Sequence, residues 1–262
     1  MRRDVLELRA FYASARGRAA REMVARKLSE AWGDPRGLDF LGLGYATPYL
    51  ETVRERARRT VAVMPAAQGV EVWPAGGRNL ACLADETALP LANAMFDRVV
   101  CVHALEEAED AVALMQEVCR VLAPSGRVIV AVAARNGLWS NAEGTPFGHG
   151  RPWSRRQLEN VLREADLEPS GWTRALYAPP FNWTARWAEG FEQVGAWLWP
   201  PFAGLILMEA VKQTFAVKPR AARARARVFA PGVLAPAPGA PAGRAPDTMP
   251  RETPLARAPI SS

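Results

Sequence analysis

The 262 residues are predicted to form a doubly wound α/β sheet with helices on both faces. Strand-like apolar runs alternate with amphipathic helical segments over most of the chain, which is the pattern of such folds. Two of these runs, residues 99–102 and 127–133, are apolar throughout, as are strands of a parallel sheet that is covered on both faces. The third observation is a glycine turn, Gly42-Leu43-Gly44, between a strand and a helix.

Two helices, residues 4–16 and 18–32, are predicted at the start, and Gly33-Asp34-Pro35 stops the second one. Residues 38–43 form the predicted first strand, and the glycine turn leads from it into a helix over roughly 48–59. Glycine in this turn lets a ligand approach the backbone closely, and the helix N-terminus offers free N–H groups.

The middle of the chain continues the alternation. Residues 60–64, 79–83 and 99–102 are predicted as the second, third and fourth strands, and residues 127–133 as the fifth. The helix before the fifth strand has acids at its start and the clearest apolar stripe of the chain, formed by Ala111, Val112, Met115, Val118, Cys119 and Leu122.

The last part of the predicted domain begins with a long loop, residues 134–153. A helix over 154–165 follows and starts with a capping box. Residues 171–177 and 203–212 are the last predicted strands. A helix between them is predicted from the spacing of Trp183, Trp187, Phe191 and Val194.

The composition changes near residue 219. We expect residues 1–218 to form one α/β domain, and residues 219–262, rich in Arg, Ala and Pro, to be a disordered tail that cannot bury enough apolar surface to fold. The net charge of +6 and the basic run 220–227 are compatible with binding to nucleic acid or to acidic lipid. A solvated tail is the favoured interpretation, and neither partner is expected.

Composition also limits the class of protein. Cys82, Cys101 and Cys119 have no metal-ligand spacing and no paired framework, which fits a reducing compartment. With two histidines, a His-rich metal site is excluded and no metal is expected. The charged N-terminus predicts no signal peptide, and the apolar stretch 194–208 is too short and too broken by proline to span a bilayer. We expect a cytoplasmic protein, and the Arg, Ala and Pro bias is typical of bacterial sequences of high GC content.

Four segments carry a resemblance to a known family. They are Asp85-Glu86-Thr87-Ala88-Leu89-Pro90, Phe96-Asp97-Arg98-Val99-Val100, His103-Ala104-Leu105-Glu106, and the run EVCRVLAPSG from Glu117 to Gly126. Together they resemble class I S-adenosylmethionine-dependent methyltransferases, and within these the type 11 group that includes ubiquinone and menaquinone biosynthesis methyltransferases. The resemblance covers roughly residues 30–215. It implies a Rossmann-like, mostly parallel sheet with an antiparallel last strand, and S-adenosylmethionine as the cofactor.

The same resemblance implies a cofactor site at the carboxyl ends of the first four strands. The implied cofactor-binding residues are Gly42, Gly44, Tyr45, Met64, Asp85, Glu86 and Val102. The two glycines would face the methionine part of the cofactor, Asp85 and the backbone of Glu86 would lie beside the adenine, and Val102 would border the cofactor. Tyr45 either covers the methionine part or is a packing residue.

Two positions depart from the pattern of the family. Phe40 stands where an acid usually precedes the glycine turn, and Met64 stands where an acid usually holds the ribose hydroxyls. Asp39 is one place off, which in a strand turns the side chain to the other face. A ribose diol without its acceptor could lose about 1–3 kcal/mol of binding.

Methyl transfer from a sulfonium is an in-line displacement, which depends on positioning and on exclusion of water. His103 is the candidate catalytic base for an acceptor that must lose a proton, and the alternative is a hydrogen-bonded histidine at a strand end. Trp139 and Phe147 are candidate substrate residues that either line a pocket or pin the loop. His149 is a further candidate at the substrate, or else a turn residue between two glycines.

The sequence therefore predicts S-adenosylmethionine-dependent methyl transfer to a small or lipophilic acceptor. A non-catalytic member of the fold that binds a partner or another ligand is the alternative, and the acids missing at Phe40 and Met64 motivate it. A third hypothesis, binding to nucleic acid or to a membrane surface, rests on the basic tail alone.

Overall fold

The computed structural model describes residues 2–142, 144–177, 203–213 and 227–228. Its strands are β1 Asp39–Gly44, β2 Arg59–Pro65, β3 Ala81–Ala84, β4 Phe96–Val102, β5 Leu122–Ala133, β6 Leu167–Ala175, β7 Leu205–Lys212 and β8 Arg227–Val228. They form one sheet in the order β3-β2-β1-β4-β5-β7-β6-β8, in which only β7 runs antiparallel to its neighbours. The predicted doubly wound, mostly parallel sheet is therefore confirmed.

The helices lie on the two faces of this sheet. They are α1 Val5–Ala13, α2 Ala15–Trp32, α3 Thr47–Leu50, α4 Ala111–Val121 and α5 Arg155–Glu164, with short 3₁₀ helices at Leu105–Glu107, Leu138–Asn141 and Pro146–Gly148. Helices α1, α2 and α3 share one buried core with alternate strand residues, and α4 and α5 share a second core with the others. Parallel strands covered on both faces explain the continuous apolar runs of β4 and β5.

Local hydrogen bonding explains two differences from the predicted elements. The predicted helix over 48–59 is wrong in length, because α3 ends at Leu50 and the chain continues as turns. The Thr52 hydroxyl donates to the Tyr49 carbonyl at 2.8 Å, a side-chain bond that competes with the regular helical pattern. The first two helices are divided at Ser14, whose hydroxyl accepts from the N–H of Gly17 and caps α2.

The end of the chain is described only in part. Of the predicted tail, 219–262, the structure describes Arg227–Val228, which pair in parallel with Gly171 and Trp172 of β6. The rest of the tail lies outside the described residues, so the disordered tail stays a prediction. The helix predicted around residues 183–194 also lies outside them, and the domain boundary near 218 stays a prediction.

Candidate functional site

The glycine turn lies where β1 meets β4. The Tyr45 N–H donates to the Val102 carbonyl at 2.8 Å, which ties the turn to the end of β4. Gly44 has φ +82°, and a Cβ there would lie 2.2 Å from the Val102 carbonyl oxygen. A Cβ on Gly42 would lie 2.6 Å from the Leu50 side chain. Both glycines are thus required by packing within the protein, which brings α3 against the ends of the strands.

Neither Phe40 nor Asp39 of β1 supplies the acid that usually precedes the glycine turn. Phe40 is fully buried and packs edge-on against Trp32, with ring centroids 5.3 Å apart. Asp39 lies at the opposite, amino end of β1, where its carboxylate accepts from Arg58 at 2.9 and 2.7 Å. This hydrogen bonding to Arg58 lowers the pKa of Asp39. Asp39 therefore has a structural partner and does not supply the missing acid.

An acid-lined cavity of about 570 Å³ lies at the carboxyl ends of β2 and β3. Its lining includes Pro65, Asp85, Glu86, Thr87, Glu107 and Glu109. Met64 is fully buried in the core beside it. The volume is in the range of small-molecule sites, and carboxylates are acceptors for hydroxyl and amino groups. The acids absent from β1 and β2 are therefore present on the neighbouring loops.

Asp85 begins the loop that follows β3. Its Oδ1 accepts from the N–H and from the hydroxyl of Thr87, both at 2.8 Å. These two hydrogen bonds lower the pKa of the exposed Asp85 carboxyl, so it is ionised at neutral pH. Asp85 thus places a charged acceptor at the mouth of the acid-lined cavity.

The residues before α1 cross the same cavity. Arg2 donates to both carboxylate oxygens of Glu86 and, at 3.1 Å, to the carbonyl of Ala104. The Arg3 N–H donates to the Glu107 carboxylate at 2.9 Å. The N-terminal segment is therefore attached to the loops that follow β3 and β4.

Tyr12 of α1 stands at the centre of a buried aromatic cluster, which we define as Phe11, Tyr12, Tyr45, Tyr49, His103, Trp139 and Phe147. The Tyr12 hydroxyl lies 2.9 Å from the Tyr49 hydroxyl and 2.9 Å from Nε2 of His103. Its ring stacks on Tyr45, with centroids 5.5 Å apart. Burial raises the pKa of Tyr12 well above its usual value, so the phenol stays neutral.

A second cavity, of about 330 Å³, opens beside Tyr12 and Tyr45. Arg9, Arg21 and Glu71 also line it, and Glu71 accepts from the Tyr45 hydroxyl at 2.8 Å. Guanidinium groups complement a carboxylate, and a carboxylate complements an ammonium group. This cavity therefore has the charges that an α-amino acid moiety requires.

His103 follows β4 directly and has φ +53°. Its ring is buried, and burial together with the charge of Arg3 lowers its pKa to about 3. The imidazole is thus neutral at physiological pH and hydrogen-bonded to Tyr12. This is the geometry expected of a hydrogen-bonded histidine at a strand end, and it makes His103 a weak base.

Of the three candidate substrate residues in the loop 134–153, two, Trp139 and Phe147, belong to the aromatic cluster. The ring of Phe147 lies 4.6 Å from that of His103 and 5.6 Å from that of Trp139, and all three are buried. His149 is half-buried, and its N–H donates to the Pro146 carbonyl at 3.4 Å, as in a turn. Within the described part of the chain, no hydrogen bond or ring contact joins the His149 side chain to the aromatic cluster.

Sequence reasoning missed Glu106 as a site residue. Its side chain is buried, and Oε1 accepts from the Ala133 N–H at 3.1 Å. Burial raises the pKa of this carboxyl to about 7. Tyr12 was recognised only as part of an apolar helix face. Two features of the sequence could have indicated these site residues: Glu106 lies three residues after His103, and Tyr12 is a tyrosine on the buried stripe of α1.

Other kinds of site were also considered. The described residues contain no group of three or more His, Cys, Asp or Glu side chains that could hold a metal ion. No helix among them combines the length and the hydropathy needed to cross a membrane.

Comparison with known proteins agrees with this geometry. A family model described as "Methyltransferase domain" matches residues 38–130, about a third of the chain. The matched segment runs from the start of β1 into β5 and includes the glycine turn and the acid-lined cavity. A search of curated proteins gave no match.

Three solved structures share the fold. An S-adenosylmethionine-dependent methyltransferase of Thermotoga maritima, a possible histamine N-methyltransferase, has a TM-score of 0.56 and 16% identity over 80% of this chain and 96% of its own. A putative methyltransferase from Haloferax volcanii in complex with the Trm112 activator has a TM-score of 0.56 and 19% identity over 82% and 100%. A geranyl diphosphate methyltransferase in complex with S-adenosylmethionine has a TM-score of 0.51 and 12% identity over 72% and 84%.

The family match and the fold support the same cofactor. The sheet order, the glycine turn and the two cavities agree with a domain that holds an extended ligand across the carboxyl ends of parallel strands. S-adenosylmethionine is the cofactor that the matched domain supports. Residues 38–130 therefore match a methyltransferase domain, and the described part of the chain shares the fold of S-adenosylmethionine-dependent methyltransferases.

Proposed function

We propose that the protein transfers a methyl group from S-adenosylmethionine to a small or lipophilic acceptor. The observation that carries the proposal is the pair of cavities at the carboxyl ends of the strands. One is lined by carboxylates that suit the hydroxyl and amino groups of adenosine, and the other has the charges that suit an amino acid moiety. When bound, the cofactor supplies an electrophilic sulfonium methyl group.

The proposed roles follow from these positions. Asp85 and Glu109 would accept from the adenosine part, and Arg21 and Tyr45 would hold the methionine part. Gly42, Gly44 and Val102 would keep the turn closed beneath the cofactor, and Met64 would support it from the core. The aromatic cluster would exclude water from the reacting atoms, which favours an in-line displacement. His103 and the rings of Trp139 and Phe147 would border the acceptor, with His149 at the outer edge of the loop.

Two finer assignments belong to this proposal. The motif series supports membership of the type 11 group, similar to the ubiquinone and menaquinone biosynthesis methyltransferases. The free cysteines Cys82, Cys101 and Cys119 support a cytoplasmic location. We also retain the boundary between an α/β domain, residues 1–218, and a tail, 219–262.

A second candidate is a non-catalytic protein of this fold that binds a partner. The N-terminal segment supports it, because Arg2 lines the acid-lined cavity and is paired there with the Glu86 carboxylate. One similar structure is that of a putative methyltransferase with the Trm112 activator, so a protein partner is compatible with the fold.

Methyl transfer can be tested with S-adenosylmethionine labelled in the methyl group and a cell extract as the source of acceptors. Wild type is expected to label at least one compound, and Tyr45→Ala is expected to label it several-fold more slowly. Glu164→Gln, an exposed change near the end of α5, is the matched control and should behave as wild type. Cofactor binding without any labelled product would favour the second candidate.

A further inference from the structure

We propose that Glu106 binds the methyl acceptor and that this acceptor is an amine. The inference rests on the proposed methyl transfer and names the class of acceptor. It is carried by a buried carboxylate with one unpaired oxygen, held at the carboxyl end of β5.

The placement of Glu106 is fixed by its neighbours. The residue is 5% exposed, and its Oε1 accepts from the N–H of Ala133, the last residue of β5. Its carbonyl oxygen accepts from the Arg151 N–H at 2.6 Å, and a Cβ on Gly150 would lie 2.5 Å from the same oxygen. The loop before α5 therefore packs against the backbone of Glu106, and the hydrogen bond to Ala133 holds its carboxyl at the end of β5.

The second carboxylate oxygen, Oε2, is buried and has no hydrogen-bond partner within the described residues. The Arg2 guanidinium, whose charge acts on Glu106, is already engaged, because it donates to Glu86 and to the Ala104 carbonyl. The adjacent Glu107 adds negative charge. A buried carboxylate oxygen without a donor is costly, and an ammonium N–H is among the strongest donors available to it.

Aromatic rings complete the recognition of a cation. Glu106 is close enough to Tyr12 that its charge helps to raise the pKa of the phenol. His103, three residues before Glu106, packs against Phe147, and Phe147 packs against Trp139. Aromatic faces attract ammonium groups and give no such attraction to a neutral alcohol. An anionic acceptor would be repelled by Glu106, so both features favour an amine.

The proton and the electrons can be followed through the step. A bound ammonium gives one proton to the Glu106 carboxylate, which becomes a neutral carboxylic acid. The nitrogen lone pair then forms the new N–C bond to the sulfonium methyl group. The C–S bond breaks with its electron pair left on sulfur, so the products are a methylated ammonium and a neutral thioether.

Binding of a matched pair of probes tests the inference without any turnover. The full chain, saturated with S-adenosylhomocysteine, would be titrated with 2-phenylethylamine and with 2-phenylethanol, and followed by NMR. We expect the amine to bind at least ten-fold more tightly. Glu106→Gln should remove this preference, and Glu164→Gln should keep it. Equal binding of the two probes by wild type would overturn the inference, as would a preference that survives in Glu106→Gln.

Turnover experiments distinguish the amine inference from the proposed methyl transfer on which it rests. Methylation of the amine probe, lost in Glu106→Gln, would support both. Methylation of phenol or thiol probes with none of the amine would overturn the amine inference and leave methyl transfer intact. Failure to bind S-adenosylhomocysteine or S-adenosylmethionine would overturn methyl transfer itself.

Discussion

Two buried titratable groups at the site, His103 and Glu106, should give the stability of the protein opposite dependences on pH. Burial and the charge of Arg3 lower the pKa of His103 from 6.5 to about 3. Burial raises the pKa of Glu106 from 4.5 to about 7, although Arg2 opposes the rise and Glu107 adds to it. Both groups therefore favour their neutral forms in the folded protein.

The sign follows from proton binding. Between pH 4.5 and 6.5 the unfolded chain holds a proton on His103 that the folded protein lacks, so this group makes stability rise with pH. Over the same range the folded protein holds a proton on Glu106 that the unfolded chain lacks, so this group makes stability fall with pH. Each contributes at most about 1.4 kcal/mol per pH unit, or about 2 kcal/mol over these two units, and the two contributions oppose each other in wild type.

Substitution of either residue should expose the contribution of the other. From pH 4.5 to 6.5, the stability of Glu106→Gln relative to wild type should rise by about 2 kcal/mol. The stability of His103→Gln relative to wild type should fall by a similar amount. Urea denaturation at three pH values, with tryptophan fluorescence as the readout of unfolding, measures these differences in stability. Two difference curves that are flat, or that slope in the same direction, would refute the reasoning.

Three further substitutions test the packing of the site and of the sheet. Tyr12→Phe leaves two buried polar partners without their hydrogen bond, and we expect a loss of about 1–3 kcal/mol in thermal or urea unfolding. Arg127→Met leaves the buried Glu209 carboxylate without its cationic partner at 2.9 Å and with only the Ser170 hydroxyl, and the expected loss is about 3–5 kcal/mol. Gly44→Ala should destabilise far more than Gly76→Ala, whose φ is also positive but whose Cβ would meet no atom within 4 Å, and equal losses would contradict the packing role of the turn.

Much of the fold could be predicted from the sequence because the signals were local. The apolar runs of β4 and β5 and the capping box at Ser154 are properties of neighbouring residues, and the structure contains all three. The glycine turn was predicted from the same kind of signal. Its close contact with the Val102 carbonyl depends on the order of strands in the sheet and could not be read from the turn itself.

The site was less predictable because it is assembled from distant parts of the chain. Tyr12 and His103 are separated by 91 positions, and Arg2 reaches Glu86 across 84 positions. A pattern within one helix shows that Tyr12 is buried but not what it contacts. Glu106 looked like one of several acids before α4, and only the fold shows that its side chain is buried against the end of β5.

The central claim is that the two cavities form a working cofactor site, and calorimetric titration with S-adenosylmethionine tests it most directly. A substitution in the glycine turn, such as Gly44→Asp, would be a poor control for this titration, because the new side chain would collide with the Val102 carbonyl and disturb the fold. Asp85→Ala and Glu164→Gln are a better pair. We predict micromolar binding by wild type and by Glu164→Gln, and clearly weaker binding by Asp85→Ala. No binding by wild type at millimolar cofactor would contradict the account.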